Sequence, residues 1–330
     1  MADKDENIGK DKKIVLMFPG QGSQYTGMGK ELVMTDSKAG SYFERASEKL
    51  SIDLLSIIAG NDKNGADLTQ TFFSQISIFT LSAAIKEYVF NDMGKFRKNI
   101  LCSMGHSLGD YSALEASGYF TFDDGLEIVA ERAEMMEEMN SKAEGMMAAV
   151  LGLTKEEAEL LMAESGESVY LANYNDYKQI VITGLKENIE KFIIFLKNKS
   201  SAKVIPLKVK TASHCPLMQP ISDKLSDFLS RFSGGRLETD FFSTSEKEFC
   251  KEEKIPEVLA GQLVKTINWF ESIEYLLALD AEIFIELGPG KVLSNLVRRI
   301  SQKNNKVVKI FDTDNLESIN NLKNFLSERF

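Results

Sequence analysis

The stretch Asn99-Ile-Leu-Cys-Ser-Met-Gly-His-Ser-Leu-Gly-Asp-Tyr-Ser-Ala-Leu-Glu-Ala116 sets the architecture. Its first part, Asn99–Met104, is a short, largely apolar run and reads as a buried strand. Gly105 opens a sharp turn, and Tyr111–Ala116 reads as a helix. A strand that delivers directly into a helix is half of a crossover unit, the device that joins parallel strands. Upstream, Lys13–Phe18 is a second apolar run, stopped by Pro19-Gly20. Gln75–Phe90 has helical spacing. Downstream, Asp280–Leu287 is a further apolar strand, ending in Gly288-Pro-Gly-Lys291. Strands that are apolar on both faces and alternate with helices predict an α/β architecture, a mainly parallel sheet with helices on both faces.

Between Gly145 and Val209 the rhythm changes. Met146–Leu151, Ser168–Asn173, Gln179–Thr183 and Val204–Val209 read as strands, with a polar loop over Tyr174–Lys178. Lys155–Glu164 and Glu187–Leu196 read as helices, the second with Ile189, Phe192, Ile193 and Leu196 on one face. The order β-α-β-β-α-β is that of a ferredoxin-like unit. The expected organisation is a flexible leader over 1–11, a large domain over 12–142 and 208–325, and an inserted small subdomain over 143–207.

The chain has 330 residues, 43% hydrophobic and 27% charged, an ordinary globular composition. Its 39 Lys and Arg stand against 49 Asp and Glu, and a net charge of −10 argues against nucleic acid as a partner. No apolar run is long enough to span a membrane, and the first residues are charged, unlike a signal peptide. Cys102, Cys215 and Cys250 lack the paired spacing of a metal site or a bridge framework. A cytoplasmic monomer without metal or cofactor is the expectation.

Gly105-His-Ser-Leu-Gly109 fits G-x-S-x-G, in which a serine on a tight strand-to-helix turn is pushed outward above the sheet. A serine needs a base to act as a nucleophile, and the chain has only two histidines. His106 adjoins Ser107 and points elsewhere on such a turn, so it reads as support for the turn. His214, in the loop Thr211–Pro216, is left as the candidate base. No nearby acid announces itself, and a carbonyl could orient the ring equally well.

Arg132 lies in a predicted helix over Asp124–Asn140, with Ile128, Met135 and Met139 as its helical neighbours. A guanidinium in apolar surroundings keeps its charge and needs an anion. A protein carboxylate and a substrate carboxylate are both open on spacing alone, and internal pairs are the commoner use.

Phe18-Pro-Gly-Gln-Gly-Ser-Gln24, the elbow with Tyr111-Ser-Ala-Leu114, Glu131-Arg132, Gly145-Met-Met-Ala-Ala149, Ala172-Asn-Tyr-Asn175, Gln179–Gly184, Ser213-His214, Gln262-Leu263 through Trp269, and Glu286–Leu293 fall in one order. In that order, over roughly residues 13–325, the chain resembles the malonyl-CoA:acyl-carrier-protein transacylase family of fatty acid and polyketide synthesis. The resemblance implies a hydrolase-like large domain with a ferredoxin-like insert, and transfer of a malonyl group from coenzyme A to an acyl carrier protein. It also implies roles. Ser107 would be acylated, with His214 as base and then acid. The N–H groups of Gln21 and Leu108 would form the oxyanion hole. Arg132 would hold the malonyl carboxylate, the main-chain carbonyl near Gln262 would orient His214, and Gln75 would stand at an active-site glutamine. Malonyl-CoA is then a substrate and no cofactor is implied. Asp110, Ala133 and Ile76 depart from the usual Glu, Gly and Pro, and the segment Phe242–Glu246 departs from the usual strand end. Ser213 before His214 leaves the α-substituent of the malonyl group open.

A thioester hydrolase on the same scaffold, a transacylase for a substituted malonyl group and a non-catalytic carrier-binding scaffold are the rival readings. Gly20-Gln-Gly22 fails as a dinucleotide loop because Tyr25 stands where the third glycine belongs, and Gly288-Pro-Gly-Lys291 lacks the hydroxyl residue of a phosphate loop. Lys186–Lys210 carries seven lysines, either a solvated face or a dock for an acidic carrier protein.

Overall fold

The structure, a computed structural model, describes residues 13–330 except 92, 143 and 210, so the expected leader over 1–11 lies outside the described residues. The strands are β1 (Ile14–Phe18), β2 (Ile100–Gly105), β3 (Gly145–Leu151), β4 (Val169–Asp176), β5 (Gln179–Leu185), β6 (Lys203–Pro206), β7 (Phe241–Ser243), β8 (Glu248–Cys250), β9 (Ile283–Glu286) and β10 (Lys309–Phe311). The chain divides into two compact units. One runs to Glu127 and includes Gly234–Phe242 and Glu274–Phe330; the other is Ile128–Ser233 with Ser243–Ile273.

Within the first unit the sheet runs β10-β9-β1-β2-β7, and every one of these neighbouring pairs is parallel. All five residues of β1 are fully buried, as a strand covered on both faces requires. The register Phe18↔Gly105 and Met17↔Glu286 brings the C-terminal ends of β1, β2 and β9 level. That edge is where parallel sheets present their loops for binding and chemistry. The long helix Thr71–Phe90 is buried along most of its length and carries Gln75.

The second unit contains an antiparallel sheet in the order β4-β5-β3-β6. With helices Lys155–Ser165 and Lys186–Lys199 in the connections, this is the ferredoxin-like arrangement. Thr154 and Glu157 form a reciprocal cap at the start of the first helix. Ile189, Phe192 and Leu196 form the buried face of the second.

The structure corrects two boundaries of the sequence reading. Tyr174–Asp176 belongs to β4 instead of a loop. The strand survives its polar residues through register shifts after Leu171 and Tyr174, and Tyr174 N–H donates to Ile267 O at 2.8 Å. The last strand of the unit stops at Pro206, three residues before the predicted end, although Leu207 N–H still reaches Met147 O at 2.9 Å. The compact second unit also takes in more chain than 143–207: most of helix Phe122–Lys142 and the segments up to Ser233 and over Ser243–Ile273 are grouped with the small sheet.

Candidate active site

Ser107 stands two residues past the end of β2 and two before helix Gly109–Ala116, with φ 56°. A left-handed backbone costs a non-glycine residue about 1–2 kcal/mol, so the surrounding structure must enforce it. It does so by close backbone packing. His106 N–H donates to Phe18 O at 3.0 Å. A methyl on Gly109 would stand 2.0 Å from Phe18 O, and one on Gly20 would stand 2.2 Å from His106 O. Only glycine permits this approach, and through it the Pro19–Ser23 loop lies against the turn bearing Ser107. Asp110, fully buried, accepts the Gly105 N–H at 3.1 Å and clips the turn closed. In the sequence Asp110 stands out only as a departure from a pattern; its position five residues after Gly105 is the signal that it closes the turn.

Leu108 is the N-cap of helix Gly109–Ala116. Main-chain N–H groups in a helix's first turn lack an intrahelical acceptor and favour negative charge. Gln21 sits on the adjoining loop, which Ser23 stabilises by donating its hydroxyl to Gly20 O at 2.8 Å. Gln75 Nε2 donates to Gln21 Oε1 at 3.4 Å, so the structure brings these two predicted residues together.

In the second unit, His214 is 4% exposed and also adopts a left-handed backbone, φ 62°. Its Nδ1 lies 2.9 Å from Gln262 O. A carbonyl oxygen can only accept, so Nδ1 carries the proton and Nε2 is the basic nitrogen of the neutral ring. Gln262 ends helix Ile255–Gln262, where carbonyls turn outward without a helical partner. Its oxygen also accepts Lys265 N–H at 3.3 Å. Ser222 donates to Ala260 O at 2.8 Å and ties down the same helix end, a support that nothing in the sequence marks. A carbonyl therefore occupies the orienting place that an acid fills in a Ser-His-Asp triad.

Arg132 is 1% exposed on helix Phe122–Lys142, among buried Ile128, Val129, Ala133, Met135 and Met136. Thr121 caps that helix: Asp124 N–H donates to Thr121 Oγ1 at 3.1 Å. Its start thus lies two residues before the predicted one. Arginine keeps its charge in such surroundings.

Of the lysine-rich stretch, Lys186 pairs with Glu144 at 2.9 Å, Lys191 with Glu187 at 2.6 Å, and Lys199 with Glu164. Lys197, Lys203 and Lys208 are exposed, and Lys210 lies outside the described residues. Cys102, Cys215 and Cys250 are buried and unbridged. Among the described residues no helix is long and apolar enough to cross a membrane, and no cluster of three or more His, Cys, Asp or Glu side chains could hold a metal ion.

Comparison with known proteins bears on this arrangement. Residues 15–327 match the family described as "Acyl transferase domain". The malonyl CoA-acyl carrier protein transacylase of Bacillus subtilis (strain 168) is 36% identical over 312 residues, 92% of this chain and 95% of that one. The crystal structure of malonyl CoA-acyl carrier protein transacylase from Clostridium perfringens is similar with a TM-score of 0.85 at 34% identity, covering 96% of this chain and 98% of that one. A malonyl-transacylase solved in complex with its type II PKS acyl-carrier protein gives 0.87 at 29% identity, covering 95% and 100%.

Proposed function

The chain belongs to the acyl transferase domain family, and on that footing we propose that it moves a malonyl group from coenzyme A to the phosphopantetheine thiol of an acyl carrier protein. Relatives that it resembles over nearly their whole length carry that activity in their names. The observation that carries the reading to this chain's own residues is the left-handed Ser107 turn, pressed against the Pro19–Ser23 loop.

In this reading His214 Nε2 removes the Ser107 proton as Oγ attacks the malonyl thioester carbonyl. The Gln21 and Leu108 N–H groups meet the developing oxyanion, each worth about 3 kcal/mol to the transition state. The intermediate collapses, the C–S bond breaks, and the imidazolium returns its proton to the departing coenzyme A thiolate. In the second half the carrier thiol gives its proton to His214, attacks the acyl-serine, and Ser107 is restored. The Gln262 carbonyl keeps the imidazole in the tautomer this cycle needs. Exchange of one thioester for another is nearly thermoneutral, so a covalent relay suffices and no cofactor is called for.

Arg132 selects acyl groups with a free distal carboxylate. An acetyl group would leave a buried guanidinium without its substrate anion. The same residue favours transfer of malonyl over general thioester hydrolysis. We place the protein in the cytoplasm as a monomer, acting on malonyl-CoA and a carrier protein without membrane or nucleic acid.

The test is to mix the protein with malonyl-CoA, digest it, and map the adduct. Malonyl on Ser107 that discharges to added holo-carrier protein bears the reading out. An adduct lost to water as fast without carrier protein selects the hydrolase, and no adduct on Ser107 rejects both.

A further inference from the structure

Glu286 is fully buried at the end of β9, yet nothing in the transfer chemistry uses it. Its two carboxylate oxygens accept from Leu293 N–H at 3.1 Å and Ser294 N–H at 2.7 Å. Those amides open helix Val292–Lys303, so the carboxylate fastens the helix start to the strand end. Strand and helix are joined by Leu287–Lys291, and the turn between them is pinned at both ends. Gly288 N–H donates to Thr313 Oγ1 at 3.0 Å, and Thr313 Oγ1 donates to Glu286 O at 2.9 Å. Gly290 N–H donates to Asp314 Oδ1 at 2.8 Å.

The turn presses on the loop that carries Gln21. Leu287 N–H donates to Met17 O at 2.8 Å, in register with the end of β1. A methyl on Gly288 would stand 2.5 Å from Pro19 Cγ, and one on Gly290 would stand 3.6 Å from Ser23 O. The Pro19–Ser23 loop is thus held between the Ser107 turn on one side and Gly288–Gly290 on the other.

We propose that Glu286, helped by Thr313, is a positioning residue that holds the Gly288–Gly290 turn against Pro19 and Ser23 and so keeps the Gln21 N–H aimed at the oxyanion. This rests on the reading of Ser107 as an acylated nucleophile. A displacement of well under about 1 Å at an oxyanion donor is felt in the transition state and little in substrate binding.

The test is steady-state malonyl transfer by Glu286→Gln and Thr313→Val, beside wild type, on material shown to be folded by circular dichroism. In Glu286→Gln the new side-chain amide would turn a donor toward a backbone N–H. Thr313→Val keeps the shape of the side chain while removing the pin on Gly288. The expected result is a fall in kcat of about tenfold or more with KM for malonyl-CoA held within about twofold. Should Glu286→Gln not fold, the isosteric Thr313→Val variant decides alone. A kcat within about twofold of wild type, or a rise in KM at constant kcat, overturns the proposal. Failure of wild type itself to acylate Ser107 would sink the underlying reading instead, and the two failures are separate.

Discussion

Ser107 and His214 both sit on left-handed backbone, but what holds each one there is different. The Ser107 turn is enforced by main chain against main chain: two glycines let Phe18 and His106 carbonyls approach, and Asp110 closes the turn from within the following helix. The His214 loop also packs on main chain, since a methyl on Gly145 would stand 2.2 Å from Ala212 N, but its ring is held from further away. Its ring Nδ1 meets a carbonyl 48 residues further along, at 2.9 Å. The first device is rigid and intolerant of any added atom. The second aims a side chain, and its direction depends on where a distant helix ends.

Gly109→Ala puts the rigid device under the greatest load. A Cβ placed 2.0 Å from Phe18 O has nowhere to go, because both partners are backbone. The expected cost exceeds about 4 kcal/mol, read as loss of folded protein in a denaturant melt. An alanine variant with wild-type stability would show that the packing at the elbow is not obligatory.

In the second unit, Arg132→Ala probes the buried guanidinium to which the proposed mechanism assigns the malonyl carboxylate. The ratio of kcat/KM for malonyl-CoA to that for acetyl-CoA should fall by about a thousandfold, measured as a ratio so that partial misfolding cancels. An unchanged ratio would return Arg132 to a purely internal role.

Glu286 tests the rigidity of the first unit through pH. Burial pushes its carboxyl up to about 7, against the pull of the Leu293 and Ser294 amides, with nearby Asp312 raising it further. Lys291 stands 3.6 Å from Asp312. The folded protein then holds this proton to a higher pH than the unfolded chain does. Stability should fall as pH rises from about 4.5 to about 7 and level off above, by about 3 kcal/mol from this group. Glu286→Gln should flatten that part of the pH–stability curve in urea melts, and an unaltered slope would assign it to other groups.

The smallest effect is expected at the exposed lysines of the second unit. Lys197→Glu with Lys203→Glu should lower kcat/KM for carrier protein a few-fold at low salt and leave the KM for malonyl-CoA alone. With three neighbouring lysines already paired to carboxylates, the field left for a partner is modest.

The same contrast explains what can be read in the sequence. The elbow, the parallel strands and the β-α-β-β-α-β order are written in short-range pattern: apolar runs, glycines at fixed offsets, helical faces. The Gln262 carbonyl, by contrast, is main chain and has no residue type to betray it; only resemblance to a family points there. Glu286 carries no legible role because the Leu293 and Ser294 N–H groups that it accepts from are main chain, which every residue but proline carries. The polar stretch Tyr174–Asp176 reads as a loop because composition does not reveal a bulge. Pro206 ends a strand that apolar residues alone would carry to Val209.

In the proposed mechanism, Ser107 and His214 act as one pair. A double-mutant cycle on malonyl transfer tests that coupling, with wild type, Ser107→Ala, His214→Ala and the double variant. If the pair works as a unit, each single change should cost about 10³-fold or more in kcat, and the double variant should be no slower than Ser107→Ala. Losses that simply multiply would mean that His214 contributes independently of the nucleophile, and would contradict the mechanism.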